Sequence, residues 1–323
     1  MSTKNCKNNE KYFETWIYIS ILNIMKSLLA IVSKNQSQHA TQMAAAIHDL
    51  SRRPDGIIVV LDRPSPRELV ETRNAFEGSR VKIIVVGHTP DNMGRPCMDF
   101  PVQHFCAGAC RNVAIEYAIT QGYDAVIFVD GDSFPEPNLI KGHLSILGND
   151  APTISVGRRC ERMYDWHDQR EGYCDNPIPI FTRMEQITKE AFFVDSGIIW
   201  TCNIGMNRLA IESIRHLNKT LFGREEVFSS DFCGTWGGED GYLGLEAYYT
   251  GIEMYPVCAK HAGIRHADHP RPEEKYDHET FVDILESKRE ELMFLMKGEG
   301  KDCCGHIFIP KDIIVGDRNW TTP

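Results

Sequence analysis

Two carboxylates separated by a single residue follow an apolar run near the middle of the chain. Asp130-Gly131-Asp132 comes directly after residues 125–129, AVIFV, whose length and composition predict a buried strand. Side chains at i and i+2 of an extended segment point to the same side, so both carboxylates could bind one hard divalent cation through oxygen. A solvated acidic turn is the alternative, and the buried strand before the motif favours a ligand-binding site.

A second pair of carboxylates follows two glycines. Trp236-Gly237-Gly238-Glu239-Asp240 leads into a predicted helix, and paired glycines permit a close approach of the backbone that larger residues would block. The helix start favours the charged form of both acids, and a charged carboxylate in a pocket can accept a hydroxyl proton. Without the preceding Trp-Gly-Gly, the two acids would be interpreted as ordinary first-turn residues. The Trp236 ring could stack on a sugar or pack in the core.

Three histidines lie close together after the last predicted strand. His261, His266 and His269 fall within nine residues. A single histidine is more often a surface or core residue than a ligand, but a cluster in a chain that already holds an acidic metal motif favours a ligand role for one of them. The residues themselves leave open which one binds.

The predicted elements alternate between strands and helices, which is typical of an α/β fold with a mostly parallel sheet. In such a sheet, ligands bind at the carboxyl ends of the strands, where Asp130 and Asp132 are expected. The predicted strands are 57–61, 81–86, 125–129, 192–194, 197–200 and 254–257, and the predicted helices are 65–77, 109–121, 207–218, 241–250 and 273–297.

The N-terminal 54 residues are predicted to be helical. The apolar run 16–32 is short for a membrane span and contains Asn23 and Lys26, which are unfavourable in hydrocarbon. We therefore expect an amphipathic helix packed on the domain, no stable membrane insertion and a soluble, cytoplasmic protein. A signal anchor is the alternative.

Charge and cysteine usage exclude some functions. The formal net charge of -10 over 323 residues argues against a binder of nucleic-acid phosphates, which needs a basic surface. The 11 cysteines include no CxxC pair, and scattered thiols are typical of a reduced intracellular protein. The one tight cluster, Cys303, Cys304 and His306, is a weak zinc candidate because adjacent cysteines rarely chelate one metal as a pair.

The order of these motifs resembles that of the GT-A glycosyltransferases. The resemblance covers about residues 56–272 and is to the family-2 transferases and to the catalytic domains of the beta-1,4-galactosyltransferases and chondroitin-polymerising enzymes. It rests on the segments GACRN (108–112), FVDGDSFPEPNLI (128–140), CNIGMNRLAI (202–211), WGGEDGYLGLEAYYTGIEMY (236–255) and RHADHP (265–270). It implies a Rossmann-like nucleotide-diphospho-sugar transferase fold.

The resemblance also implies a metal site for Mn²⁺ or Mg²⁺. Asp132 resembles the carboxylate that binds the metal, and Asp130 the one that also reaches the ribose. His266 resembles the histidine that completes the site, with His269 as the second candidate. Where galactosyltransferases have a methionine ligand, this sequence has Gly263, which leaves the remaining ligand and the preferred ion open.

Further roles follow from the same resemblance. Asp240 is similar to the catalytic base and Glu239 to its partner on donor or acceptor hydroxyls. Arg111 resembles the basic residue that faces the nucleotide, and Asp62 lies where such folds bind the base of the nucleotide. The expected nucleotide-sugar contacts are Asp62, Arg111, Asp130, Gly131, Trp236, Gly237 and Gly238. The donor is expected to be a UDP-sugar by analogy, and the acceptor could be a glycan, a protein, a lipid or a modified nucleic acid.

The sequence pattern and the resemblance together predict three parts of the chain: an N-terminal helical extension (1–54), a GT-A catalytic domain (55–272), and a C-terminal helix and tail (273–323). Within the catalytic domain, 55–140 would be the nucleotide-binding half and 141–272 the acceptor and catalytic half.

An inverting mechanism is expected, because Glu-Asp stands here where related retaining enzymes tend to have Glu-Asn. Two alternatives remain. A non-catalytic nucleotide-sugar or glycan-binding protein could share the fold, and a haloacid-dehalogenase-like phosphatase also carries a DxD after an apolar strand. In that phosphatase family the motif lies at the first strand, with Thr or Val where this chain has Phe134.

Overall fold

The computed structural model describes residues 25–86, 105–148, 150–160, 201–232, 238–257 and 262–267, together with individual residues of a helix between 283 and 294. Its centre is a seven-stranded sheet of order β3-β2-β1-β4-β8-β6-β9. All neighbouring strands are parallel except β8, which runs antiparallel to β4 and β6. The strands are β1 (Ser27–Ser33), β2 (Gly56–Asp62), β3 (Val81–Val86), β4 (Ala125–Asp130), β6 (Thr153–Val156), β8 (Asn203–Asn207) and β9 (Glu253–Pro256).

A second, three-stranded sheet lies beyond the carboxyl end of β4. It has the order β5-β10-β7, with β5 antiparallel and β7 parallel to β10. Its strands are β5 (Ser133–Pro135), β7 (Arg158–Cys160) and β10 (Gly263–His266). Since β5 begins three residues after β4 ends, this small sheet brings the C-terminal strand β10 next to the acidic motif.

Helices cover both faces of the central sheet. Alternate residues of β1 point to opposite faces: Leu28 and Ala30 contact one core cluster, and Leu29 and Ile31 contact the other. The first cluster includes residues of α3, α5 and α6, and the second includes residues of α1 and α4. The helices are α1 (Ala40–His48), α2 (Pro66–Ala75), α3 (Ala107–Gln121), α4 (Leu139–Leu147), α5 (Arg208–Phe222) and α6 (Glu239–Thr250).

Local sequence signals set several helix ends. The Ser65 side chain accepts a hydrogen bond from the Glu68 N–H, and Pro66 occupies the first helical position of α2, as helix N-termini favour. Asn207 caps α5 in the same way through the Ala210 N–H. Gly122 ends α3 at a φ of 67°, a left-handed conformation that glycine adopts without steric cost. The helix starts predicted from these residues are confirmed to within two residues.

The helical prediction for residues 1–54 is wrong over Ser27–Ser33. This segment is β1, buried along its whole length in the middle of the central sheet between β2 and β4. A strand covered on both faces is apolar throughout, so its pattern cannot be told from that of a buried helix by periodicity alone. The sheet therefore includes residues before 54, whereas α1 is a helix as predicted. Residues 1–24 lie outside the described part of the chain, and the remaining domain boundaries stay predictions.

The predicted strands 57–61, 81–86 and 125–129 correspond to β2, β3 and β4, and 254–257 overlaps β9. The predicted strands 192–194 and 197–200 fall on residues that the structure does not describe. Within the described residues, no helix combines the length and the apolar character that crossing a membrane requires.

Candidate active site

The carboxyl ends of three adjacent parallel strands meet at one edge of the central sheet. Strand β1 lies between β2 and β4, with Ser33 opposite Leu61 on one side and Val32 opposite Asp130 on the other. The residues at the ends of these strands are therefore neighbours. Ligands bind at this edge in sheets of this kind. The neighbouring residues are Lys34 to Gln36 after β1, Asp62 and Arg63 at the end of β2, and Asp130 to Asp132 after β4.

Asp132 and His266 lie together, as the family resemblance implied, and their role as metal ligands stays a prediction. Strand β10 runs antiparallel to β5 and pairs His266 with Ser133, and the Ala267 N–H donates to the Asp132 carbonyl over 2.8 Å. This pairing places His266 Nε2 3.4 Å from Asp132 Oδ2. Asp132 is 5% exposed and His266 is partly exposed, so a ligand can reach the pair from solvent.

A residue that the sequence analysis missed contacts the same carboxylate. The Gln36 side-chain amide donates from Nε2 to Asp132 Oδ2 over 2.6 Å. Gly131 allows this approach, because a Cβ at that position would lie 2.6 Å from both Gln36 Oε1 and Ser33 Oγ. The middle residue of the motif therefore has to be glycine for the loop after β1 to pack against it.

Asp130 faces a different partner. Arg111, on α3, donates to Asp130 Oδ1 over 2.9 Å and to Glu239 Oε1 over 2.9 Å. Burial acts to lower the pKa of the Arg111 guanidinium, but the charges of Asp130, Glu239 and Asp240 outweigh it and raise the pKa above its ordinary value. Arg111 is thus a permanently charged bridge between the two acidic motifs.

Asp240 occupies the first turn of α6, next to this bridge. The Thr201 hydroxyl donates to Asp240 Oδ1 over 2.6 Å, and the Thr201 N–H lies 3.4 Å from Oδ2. Burial of the carboxyl group, and after it the charge of Glu239, raises the pKa of Asp240 to about 7, while Arg111 and the Thr201 hydrogen bond oppose this rise. A carboxylate with a pKa near neutrality is well matched to accept a proton.

Asp62 lies at the predicted edge but already contacts several protein donors. It is 1% exposed and pairs with Lys34 Nζ at 3.1 Å and Arg63 Nε at 2.7 Å. The Cys106 N–H also donates to it, over 3.1 Å. Two cations therefore share this one carboxylate. Sequence reasoning named Asp62 and missed Lys34 and Arg63.

The structure describes only some of the remaining predicted site residues. Gly238 precedes α6 with a φ of 94°, in the region where a side chain would be strained, so the glycine is needed for the turn into Glu239. Trp236, Gly237, His261 and His269 lie outside the described residues. Among the residues that the structure describes, no three His, Cys, Asp or Glu side chains converge as a metal site. Asp130 contacts Arg111, whereas Asp132 contacts His266.

No protein-family model matches the sequence. No curated protein matches it either. Several solved structures are similar in fold. S. aureus TarS 1–349 in complex with UDP-GlcNAc has a TM-score of 0.52 at 13% identity, over 85% of this chain and 72% of that one. Glucosyl-3-phosphoglycerate synthase from Mycobacterium tuberculosis in complex with UDP has a TM-score of 0.52 at 12% identity, over 84% and 83%.

A second complex of the mycobacterial synthase, with Mn²⁺, UDP and glucosyl-3-phosphoglycerate, has a TM-score of 0.50 at 11% identity, over 87% of this chain and 83% of that one. These similarities, with the mostly parallel sheet flanked by helices, confirm the predicted GT-A fold.

Proposed function

We propose that this protein is an inverting, divalent-metal-dependent glycosyltransferase that moves a sugar from a UDP-sugar to an acceptor hydroxyl. The observation that carries the proposal is the Arg111 bridge, which places the DxD edge beside Glu239 and Asp240. Binding of the leaving group and removal of the acceptor proton need adjacent groups of these kinds. The similarity in fold to structures holding UDP or UDP-GlcNAc supports the choice of donor.

The residues present fit a divalent cation. Asp132 Oδ2 and His266 Nε2 approach each other at the sheet edge, and Mn²⁺ accepts both oxygen and imidazole nitrogen ligands. When bound, the cation supplies stabilisation for the negative charge that grows on the departing diphosphate. The presence of Mn²⁺ with UDP in the mycobacterial synthase supports a divalent cation at this site, Mn²⁺ or Mg²⁺.

Asp240 is the proposed base. As the acceptor oxygen bonds to the anomeric carbon, the bond from that carbon to the diphosphate oxygen breaks, and the acceptor proton passes to the Asp240 carboxylate. One base on the face opposite the leaving group is sufficient for a single displacement with inversion. The Thr201 hydroxyl orients one oxygen of Asp240, and Arg111 holds Glu239 beside it.

The remaining donor contacts are proposed at the same edge. Asp62 with Lys34 and Arg63 would line the pocket for the nucleotide base. Asp130 and Gly131 would lie against the ribose and diphosphate. Gly238, with Trp236 and Gly237, would form the turn against the transferred sugar. The acceptor is a glycan, a protein, a lipid or a modified nucleic acid.

The two alternatives are weaker. A non-catalytic binder of nucleotide-sugars would have no use for a carboxyl group whose pKa is raised to about 7 beside the DxD edge. A haloacid-dehalogenase-like phosphatase would carry its DxD on the first strand, whereas here the motif follows β4. Hydrolysis of a panel of nucleotide-sugars without acceptor, with and without Mn²⁺, tests the proposal. Metal-dependent cleavage of a UDP-sugar supports it, and no cleavage or transfer with any donor contradicts it.

A further inference from the structure

The candidate metal site has fewer ligands than the ion requires. Asp132 and His266 provide one oxygen and one nitrogen, whereas Mn²⁺ and Mg²⁺ favour octahedral coordination. No third His, Cys, Asp or Glu side chain joins them among the described residues. A diphosphate and water could supply some of the remaining positions, but an amide oxygen is also a suitable protein ligand for hard cations.

Gln36 is the amide placed to do this. Its side chain contacts Asp132 Oδ2, with 2.6 Å between Nε2 and that oxygen, and His266 Nε2 faces the same oxygen. Side chains from the loop after β1, the turn after β4 and strand β10 therefore meet at one carboxylate oxygen. Gln36 is partly exposed, so a ligand arriving from solvent can reach its amide.

The backbone around Gln36 is fixed. Its N–H lies 3.4 Å from Glu68 Oε1, and its carbonyl accepts from the His39 N–H over 2.9 Å, at the start of a 3₁₀ turn. Gly131 leaves the space into which the amide fits, since a Cβ there would come 2.6 Å from Gln36 Oε1. The acidic motif and the Gln36 amide are therefore packed as one unit.

A glutamine amide has a donor end and an acceptor end, and a half-turn about its last torsion exchanges them. With Asp132 free of metal, the Nε2 end satisfies the carboxylate. With a cation on Oδ2, the same half-turn brings Oε1 toward the cation. We propose that Gln36 is a third protein ligand of the metal, binding through Oε1, and that it holds Asp132 through Nε2 in the metal-free protein. This inference rests on the proposed metal dependence.

The test is a Mn²⁺ titration of the full chain, followed by the electron paramagnetic resonance signal of free Mn²⁺, with no sugar donor present. Gln36→Ala should weaken binding by about 10-fold or more, the scale for losing a group that supports a metal site. Gln36→Glu should bind Mn²⁺ at least as tightly as the wild type, because a carboxylate oxygen replaces the amide oxygen. Gln42→Ala, at an exposed position on α1, is the matched control and should leave the affinity unchanged.

The glutamate variant separates a ligand from a hydrogen-bond donor. If Gln36 acted only by donating to Asp132, Gln36→Glu would lose the donor and place like charges together, and it would bind Mn²⁺ as weakly as Gln36→Ala. That result overturns the proposal, as does an unchanged affinity in Gln36→Ala. Wild-type turnover with and without a chelator is measured in parallel. If the wild-type turnover depends on the metal, either overturning result rejects the role of Gln36 but leaves the proposed function standing. If the wild-type turnover does not depend on the metal, both the role of Gln36 and the proposed function are contradicted.

Discussion

Arg111 donates to Asp130 and to Glu239 over 2.9 Å each, and so joins the end of β4 to the start of α6. The side chains of Arg111 and Glu239 are buried, and that of Asp130 is partly exposed. This one guanidinium compensates two carboxylates that would otherwise repel each other and Asp240. The two acidic motifs, more than a hundred residues apart in sequence, therefore depend on the same cation.

Removing that cation should be costly for the fold. Arg111→Met removes the cation that Asp130 and Glu239 share, and losing one member of a buried ion pair destabilises a protein by about 3–5 kcal/mol. Urea unfolding measures this. The control is Arg208→Met, which breaks an i,i+4 pair with Glu212 on the surface of α5 and should change the stability by about 0.5 kcal/mol or less. Equal effects of the two substitutions would contradict the assigned role of Arg111.

Turnover should depend on pH through Asp240. Only the deprotonated carboxyl group accepts a proton, so kcat should rise as pH passes through about 7. The Thr201 hydrogen bond lowers this pKa, so Thr201→Val should move the midpoint to higher pH and reduce kcat more at pH 6 than at pH 8. Thr120→Val, at an exposed position on α3, is the control. A midpoint that stays in place in Thr201→Val contradicts the account.

Metal-dependent donor binding should depend on Asp132 and His266. Asp132→Ala is expected to abolish the Mn²⁺-dependent part of UDP affinity while the protein stays folded, because it removes a metal ligand. His266→Ala should weaken Mn²⁺ binding more than His261→Ala or His269→Ala does. Calorimetry with UDP, with and without Mn²⁺, measures both, and Asp49→Ala at an exposed site is the control. If His269→Ala proves the damaging change, the ligand is His269 instead.

Glu246 should make the protein less stable at high pH. It lies on α6 with no exposed surface, and burial raises its pKa well above the ordinary value. In the unfolded chain the group ionises near pH 4.3, so stability is full below that pH and falls as pH rises toward the native pKa. Glu246→Gln should therefore raise the melting temperature by several degrees at pH 8 and much less at pH 4.

Scanning calorimetry of Glu246→Gln at the two pH values measures this, with the exposed Glu77→Gln as the control. A gain of the same size at both pH values would show that titration of Glu246 is not the cause.

Local sequence patterns predicted the strand end and the helix start on which the candidate site residues lie. The apolar strand before Asp130 and the glycine before Glu239 are signals within a few residues. The choice of His266 came from the family resemblance; the pairing of β10 with β5 places it beside Asp132, and its role as a metal ligand stays a prediction. The misassignment of Ser27–Ser33 as helix had a direct consequence: without β1, nothing placed Lys34 and Gln36 at the sheet edge.

Contacts between residues far apart in the sequence were the second feature that could not be predicted. Thr201 lies 39 residues before Asp240, and no local pattern links the two. Arg111 was expected to face a nucleotide. Its two hydrogen bonds to carboxylates arise because α3 packs near β4 and α6, and no local sequence pattern predicts that packing. Tertiary partners of charged groups are thus the part that needed the structure.

The central claim is that Asp240 is the base, and Asp240→Asn tests it most directly. The substitution keeps the size of the side chain and its contact with Thr201 but removes the ability to accept a proton. Donor affinity, measured by calorimetry with the nucleotide-sugar and Mn²⁺, should stay within a few-fold of the wild type. Turnover should fall by about 10²-fold or more, the scale for losing a general base. Near-normal turnover in a folded Asp240→Asn protein would contradict the account and move the role to Glu239.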